Sequence, residues 1–352
     1  MERRYLILAP HTFATRAAKT AHGVIAYSRD VTVAVVDPEN AGKCVRDVLP
    51  YLDSDAPIVA DVAAGLVHKP TSLLIGIAPQ GGGLPPEFRA EIRVAMRAGL
   101  EIVSGLHTII GDDPELAELA RTHDSRIWDL RLPPAAPLFS GAAYDIEARI
   151  LLTVGSDCAV GKMTAALELT RAARDRAVDA TFVPTGQTGI AIAGWGTAID
   201  RVIADFAPGA AEQLVLEGER RARDLLVVEG QGGINHPAYA PVTLALLYGT
   251  APDALVLVHV PSRTTIDGYD IPLLGYRELI GTYENLCAGV KPAKVAGIAL
   301  NTKDLDEAAA RAAIEDARQE TGLPCDDVVR FGPHALYDAI APQTQKSAVR
   351  HA

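Results

Sequence analysis

The chain has 352 residues, with 33 Lys and Arg against 44 Asp and Glu, and its formal net charge of −11 comes with no basic block. That balance excludes an electrostatic nucleic-acid binder, and no segment is long and apolar enough to span a bilayer. The cysteines Cys44, Cys158, Cys287 and Cys325 lie far apart and form no CxxC pair, which excludes a zinc framework and fits a reducing compartment. The N-terminal stretch lacks a long apolar core, so the expected location is cytoplasmic, with a small molecule rather than nucleic acid or membrane as partner. An acidic surface repels anions at long range. Any phosphate site must therefore be local, built from backbone amides and one or two cations.

Short apolar runs alternate with helical patterns along the chain. In the first part "YLILAP", "VTVAVVD", "APIVAD", "SLLIGIAP" and "LEIVSG" predict strands, and "PPEFRAEIRVAMRAG" and "DPELAELARTHD" predict helices. Strands apolar on both faces and separated by helices belong to a parallel sheet covered on both sides. The proline-rich stretch "DLRLPPAAPLFSGAAYD", residues 129–145, reads as a linker. A second series follows: "RILLTVG", "ATFVPTG", "DLLVVEG", "ALVLVHV", "KVAGIAL" and "DVVRFG", with "LDEAAARAAIEDARQETG" the clearest helix. The last dozen residues read as a frayed tail. The expected class is α/β, two doubly wound parallel-sheet domains at 1–140 and 141–352. Ligands of such sheets sit beyond the carboxyl ends of the strands, where the glycines of this sequence fall.

Three loops at strand ends carry the chemistry. The first, "GSDCAVGKMT", comprises Gly155, Ser156, Asp157, Cys158, Ala159, Val160, Gly161, Lys162, Met163 and Thr164. Strand, glycine turn, Gly-Lys and helix form the order of a phosphate-binding loop, in which backbone N–H groups curl round an anion and the lysine reaches the outer phosphates. Five residues separate Gly155 from Gly161, where the common pattern has four. Met163 stands where a nucleotide hydrolase places the Ser or Thr that holds magnesium. The second loop, "PTGQTG", offers Thr185, Gly186, Gln187 and Thr188 to a polar substrate. The third, "VVEGQGGINHP", sets Glu229 at the end of a buried strand, followed by Gly230, Gly232 and Gly233, which let another backbone approach, and then by Asn235 and His236.

These loops resemble known families. "GSDCAVGK" and "VVEGQGG" are similar to the phosphate loop and the glutamate-glycine segment of dethiobiotin synthetase. That resemblance implies phosphate binding by Lys162 and a magnesium or substrate role for Asp157 and Glu229, with Met163 a departure from the magnesium site. "GSDCAVGKMT", "PTGQTGIAIAGWG", "VEGQGGINHPAY" and "PDALVLVH" together resemble a bacterial two-domain family of formerly unknown function, as do "IGIAPQGGGLPPEFR" and "AGLEIVSGLHTIIGDDPEL". This second resemblance covers nearly the whole chain. It implies an N-terminal Rossmann-like domain and a C-terminal P-loop NTPase-like domain. It also implies the activity of the family's characterised branch, a D-glutamate N-acetyltransferase that uses acetyl-CoA.

Coenzyme A carries phosphates that a phosphate loop can hold without hydrolysis, so an acetyl-CoA enzyme has no need of a hydroxyl at Met163. Acetyl transfer to an amino acid needs a base to remove a proton from the ammonium, and donors for the oxyanion formed at the thioester carbon. Glu229 is the first candidate for the base and His236 the second, while Gln187 or the amides of Gly232 and Gly233 are candidate donors. A ping-pong route through Cys158 is a further possibility. Arg263 is a candidate partner of the substrate carboxylate, with Arg16, Lys19, Lys43 and Arg89 as others. Asn301 and Thr302 occupy the place where related phosphate-loop enzymes recognise adenine, which ATP and coenzyme A share. No metal is expected in the acetyltransferase reading. Two other readings stand beside it: an ATP- and magnesium-dependent ligase or kinase, and a sensor of nucleotide or coenzyme A. A homodimer is expected.

Overall fold

Six short runs of Val, Ile and Leu pair in parallel in the first sheet: β1 (Arg4–Leu8), β2 (Val31–Val36), β3 (Ile58–Val59), β4 (Ser72–Ile75), β5 (Glu101–Ser104) and β6 (Ile127–Asp129). Their order is β3-β2-β1-β4-β5-β6, the doubly wound order in which the chain reverses direction at β1. Tyr5, Leu6, Ile7 and Leu8 of β1 have no exposed surface, because helices cover both faces of the sheet. The computed structural model describes residues 3–77 and 83–344. The centre of "IGIAPQGGGLPPEFR" and most of the expected C-terminal tail lie outside these residues.

The second sheet contains β7 (Arg149–Gly155), β8 (Ala180–Val183), β9 (Leu225–Val228), β10 (Ala254–His259), β11 (Lys294–Leu300) and β12 (Cys325–Asp326). All pairs are parallel, in the order β12-β11-β10-β7-β9-β8. β7 lies between β9 and β10, so the loop leaving it opens at the point where the strand order changes direction. Among the described residues no helix is long and apolar enough to cross a membrane.

Two expectations are corrected at the sheet edges. "DVVRFG" is not a strand: β12 ends at Asp326, and residues 328–331 form a turn. The cause is Asp327, whose Oδ1 accepts from Val329 N and Arg330 N, while Oδ2 accepts from Thr302 N and Oγ1. A side chain that closes local bonds to the backbone competes with strand pairing. Conversely, β6 was not foreseen and its last residue falls within the predicted linker. Among the described residues it pairs only with β5, which suffices for a three-residue edge strand.

Contacts along the chain group residues 1–132 with 187–201, and residues 133–186 with 202–352. The first unit thus reclaims helix Gln187–Ala193 and the 3-10 turn Ile199–Arg201 from sequence that follows β8. The linker is irregular but fixed from within the second unit. Glu212, on helix Ala207–Glu219 and fully buried, accepts from Ser140 N, Ser140 Oγ, Gly141 N and Ala143 N at 2.8–3.2 Å. Burial alone would raise this carboxyl, yet the Ser140, Ala143 and Gly141 donors hold it below its ordinary value of 4.5.

Glu212→Gln should strand part of this donor set and lower unfolding stability by about 1–3 kcal/mol at pH 7, measured by urea denaturation. A depressed carboxyl stabilises the fold above its unfolded value and stops doing so as pH falls through its folded value. The gap between wild type and variant should therefore narrow once the pH is taken below 4.5.

Candidate active site

The loop after β7 is shaped for an anion. Gly161, at φ +111°, precedes helix Lys162–Asp175, whose first turn carries no acidic residue and no side-chain cap. The free N–H groups and the dipole of that helix are left to attract negative charge. Ala159 also takes a left-handed conformation, at φ +52°. The Lys162 ammonium is buried and donates to Asp157 O at 2.7 Å and Gly232 O at 2.6 Å. Burial brings its pKa down to about 8.

The glycine segment after β9 lies directly against this loop. A Cβ on Gly233 would come within 2.8 Å of Asp157 Cα, and one on Gly230 would collide with Thr153 O. Gly232 takes φ +63°. Gly230 N donates to Thr153 Oγ1 at 3.0 Å, which ties the segment to β7. Glu229, at the end of β9, is nearly buried, and its Oε2 accepts from Thr185 N at 3.0 Å and Gly186 N at 3.2 Å. Thr185 Oγ1 donates in return to Glu229 O and accepts from Gln231 Nε2. The second loop thus orients the carboxylate of the third.

Asp157 is the hub on the other side. Its Oδ1 accepts from Cys158 N, and its Oδ2 accepts from Arg263 Nη1 and Asp267 N, both at 2.8 Å. Arg263 Nη1 also donates to Cys158 O, so its charge braces the loop. Ala238 N donates to His236 Nδ1, which puts the proton of the neutral ring on Nε2, 3.3 Å from Asp267 O. The ligand atoms of Asp157, Cys158 and His236 lie within 4.8 Å of one another, a spacing that can hold a metal ion. Each residue of this trio is already engaged within the protein. Burial, reinforced by Asp157 and Asp267, pushes the Cys158 thiol up to about 11, which disfavours the thiolate that a nucleophile or metal ligand requires.

Of the residues singled out by sequence, Gly155 to Thr164, Thr185, Gly186, Glu229, Gly232, Gly233, Asn235, His236, Arg263 and Asn301 all belong to the second unit. Asn301 Nδ2 donates to Val160 O at 3.2 Å, and Met163 and Thr164 lie half-buried in the first helical turn. Gln187 and Thr188 belong to the first unit. There Gln187 Oε1 accepts from Arg131, and Thr188 Oγ1 pairs with Thr20 Oγ1. Arg89 is held by Asp113 and Glu115.

Sequence reasoning missed His259, Asp267 and Tyr283. His259 Nδ1 lies 2.8 Å from Ser156 Oγ, and burial followed by Arg263 brings its pKa down to about 4. It is therefore neutral across the physiological range. Its place at the end of the strand "ALVLVH" was the available signal. Tyr283 Oη donates to Gly155 O at 2.6 Å from a helix far along the chain, and no local pattern marks it.

Binding of sulfate at this loop, measured by calorimetry, should weaken as pH rises from 7 to 9, because an anion prefers the charged Lys162, whose pKa is about 8. Lys162→Met should weaken it roughly tenfold or more at pH 7 and flatten that pH dependence.

Two curated proteins named D-glutamate N-acetyltransferase, from Tritonibacter scottomollicae and a Pseudoalteromonas species, are each 38% identical to this chain over 275 and 269 residues. The matches cover 77% and 75% of this chain and 81% and 80% of theirs. A crystal structure of a DUF1611 family protein from Anabaena variabilis ATCC 29413 superposes with a TM-score of 0.92 at 41% identity, covering 97% of this chain and all of that one. Residues 38–133 match the family's Rossmann-like domain of unknown function and residues 137–337 its P-loop domain. The two parallel sheets, the phosphate loop and these matches agree, and the chain belongs to the DUF1611 family.

Proposed function

We propose that this protein moves the acetyl group of acetyl-CoA to the amino group of D-glutamate. The observation that carries the reading is the name shared by the two relatives, each aligned over four fifths of its length. The phosphate loop supports it. A buried lysine and an uncapped helix N-terminus fit the phosphates of coenzyme A, and Met163 leaves no hydroxyl beside Lys162 for magnesium.

Acetyl-CoA supplies an activated acetyl thioester. Gly155 to Thr164 hold its phosphates, with Lys162 turning from the carbonyls of Asp157 and Gly232 to the anion, and Asn301 at the rim serves the adenine. Glu229 takes the proton from the acceptor's ammonium, its carboxylate aimed by the amides of Thr185 and Gly186. His236 acts as a neutral donor rather than as a base, since Ala238 N–H fills its Nδ1. The amides of Gly232 and Gly233 supply further donors. Arg263 acts on substrate through Asp157, which it holds. Magnesium has no place in this chemistry. The enzyme works in the cytoplasm as a homodimer. Four unpaired cysteines support the first assignment, and the exposed apolar side chains Leu138 and Ile203 support the second.

The test is release of free coenzyme A from acetyl-CoA offered with D- and L-amino acids, with and without EDTA, beside an ATP-hydrolysis control. Release that depends on D-glutamate and is indifferent to EDTA is the expected result. Amino-acid-dependent ADP formation that needs magnesium, without coenzyme A release, would overturn the reading in favour of an ATP-dependent ligase. Glu229→Gln should lower kcat by roughly 10²- to 10⁴-fold while leaving acetyl-CoA binding near that of wild type. Full activity in that variant would remove Glu229 as base.

A further inference from the structure

At the carboxyl ends of β5 and β6 the first unit gathers basic side chains round a single carboxylate. Arg131, two residues beyond β6, donates from Nη2 to Asp200 Oδ2 at 3.0 Å and to Gln187 Oε1 at 2.9 Å. Its Nη1 donates to Gly105 O at 2.6 Å. His107 Nε2 lies 3.9 Å from the same oxygen of Asp200. Arg201 follows Asp200 in the turn Ile199–Arg201. Burial first, then the charges of Arg131 and Arg201 against the opposing Asp200, keep His107 below its ordinary value, so both guanidinium groups are felt at the imidazole.

Two features are unexplained by the fold alone. The Nε atoms of Arg131 and Arg201 are both buried without a hydrogen-bond partner. A guanidinium N–H hidden from water needs an acceptor, and none is supplied here by the described residues. The charges also fail to cancel. Arg131 is paired with Asp200, whereas Arg201 has no ion-pair partner among the described residues, which leaves one positive charge uncompensated in a protein whose net charge is −11.

We propose that His107, Arg131 and Arg201 form a binding site for a small carboxylate, in which Asp200 fixes Arg131 and the half-buried Arg201 and His107 meet the ligand. The excess of one positive charge suits a monoanionic carboxylate rather than a dianionic phosphate, and the planar fork of a guanidinium matches a carboxylate. The ligand is a small carboxylate held by the first unit alone, and glutarate and D-glutamate are its probes. The segment "PTGQTGIAIAGWG" thereby gains a role, since it delivers Gln187 to Arg131 and leads to Asp200 and Arg201.

The test is calorimetric titration of the full chain, without acetyl-CoA, with glutarate, D-glutamate and inorganic phosphate, for wild type and Arg201→Ala. The Arg201 guanidinium has no hydrogen-bond or ion-pair partner among the described residues, so the substitution removes charge without breaking a bond. Wild type should bind both carboxylates more tightly than phosphate, and the variant roughly tenfold more weakly. Carboxylate binding equal in wild type and variant, absent from wild type, or no tighter than that of phosphate overturns the proposal. Because calorimetry needs no turnover, a protein that binds glutarate through Arg201 but transfers no acetyl group would retain this site and lose the function proposed above.

Discussion

The second unit depends on how closely two backbones can lie. The glycine segment after β9 and the phosphate loop after β7 approach until no Cβ fits on Gly230 or Gly233. The Lys162 ammonium then bridges carbonyls of both segments. A buried ammonium is costly unless its donors are met. Two carbonyls meet them, which ties the placement of the lysine to the glycines. The other features of the site follow from this contact. Glu229 is brought beside the loop, and Asp157 faces Arg263 and the backbone of Asp267.

Charge is managed locally rather than over the whole surface. A chain of net charge −11 gains nothing from long-range attraction of anions. It compensates at short range with an uncapped helix N-terminus, a partly desolvated lysine and an arginine paired to the loop itself. The same rule appears in the first unit, where Asp200 pairs with Arg131 and Arg201 has no ion-pair partner among the described residues. Cys158 shows the opposite outcome. Although it sits within the phosphate loop, burial and two neighbouring carboxylates dominate, and the thiol resists ionisation.

In the Rossmann-like unit the acid that follows β2 is engaged by the fold itself. Asp37, which follows β2, is buried, and its carboxylate accepts from His11 N and Asn40 Nδ2. An acid at that place commonly reaches a ribose. Here it closes two turns.

Sequence by itself determined the alternation of strands and helices, the phosphate loop, and the glycines that announced a close backbone approach. Those features are local: periodicity, turn chemistry and the missing Cβ are properties of short segments. It did not determine β6 or the end of β12, because edge strands of two or three residues are settled by a neighbour and by side-chain bonds such as those of Asp327. Nor did it determine that "PTGQTG" is divided, with Thr185 and Gly186 orienting Glu229 in one unit while Gln187 and Thr188 pack in the other. His259, Asp267, Tyr283 and the Arg131–Asp200 pair were likewise decided by tertiary structure. Their partners lie 69 to 128 residues away, and no short segment carries information about contacts at that separation.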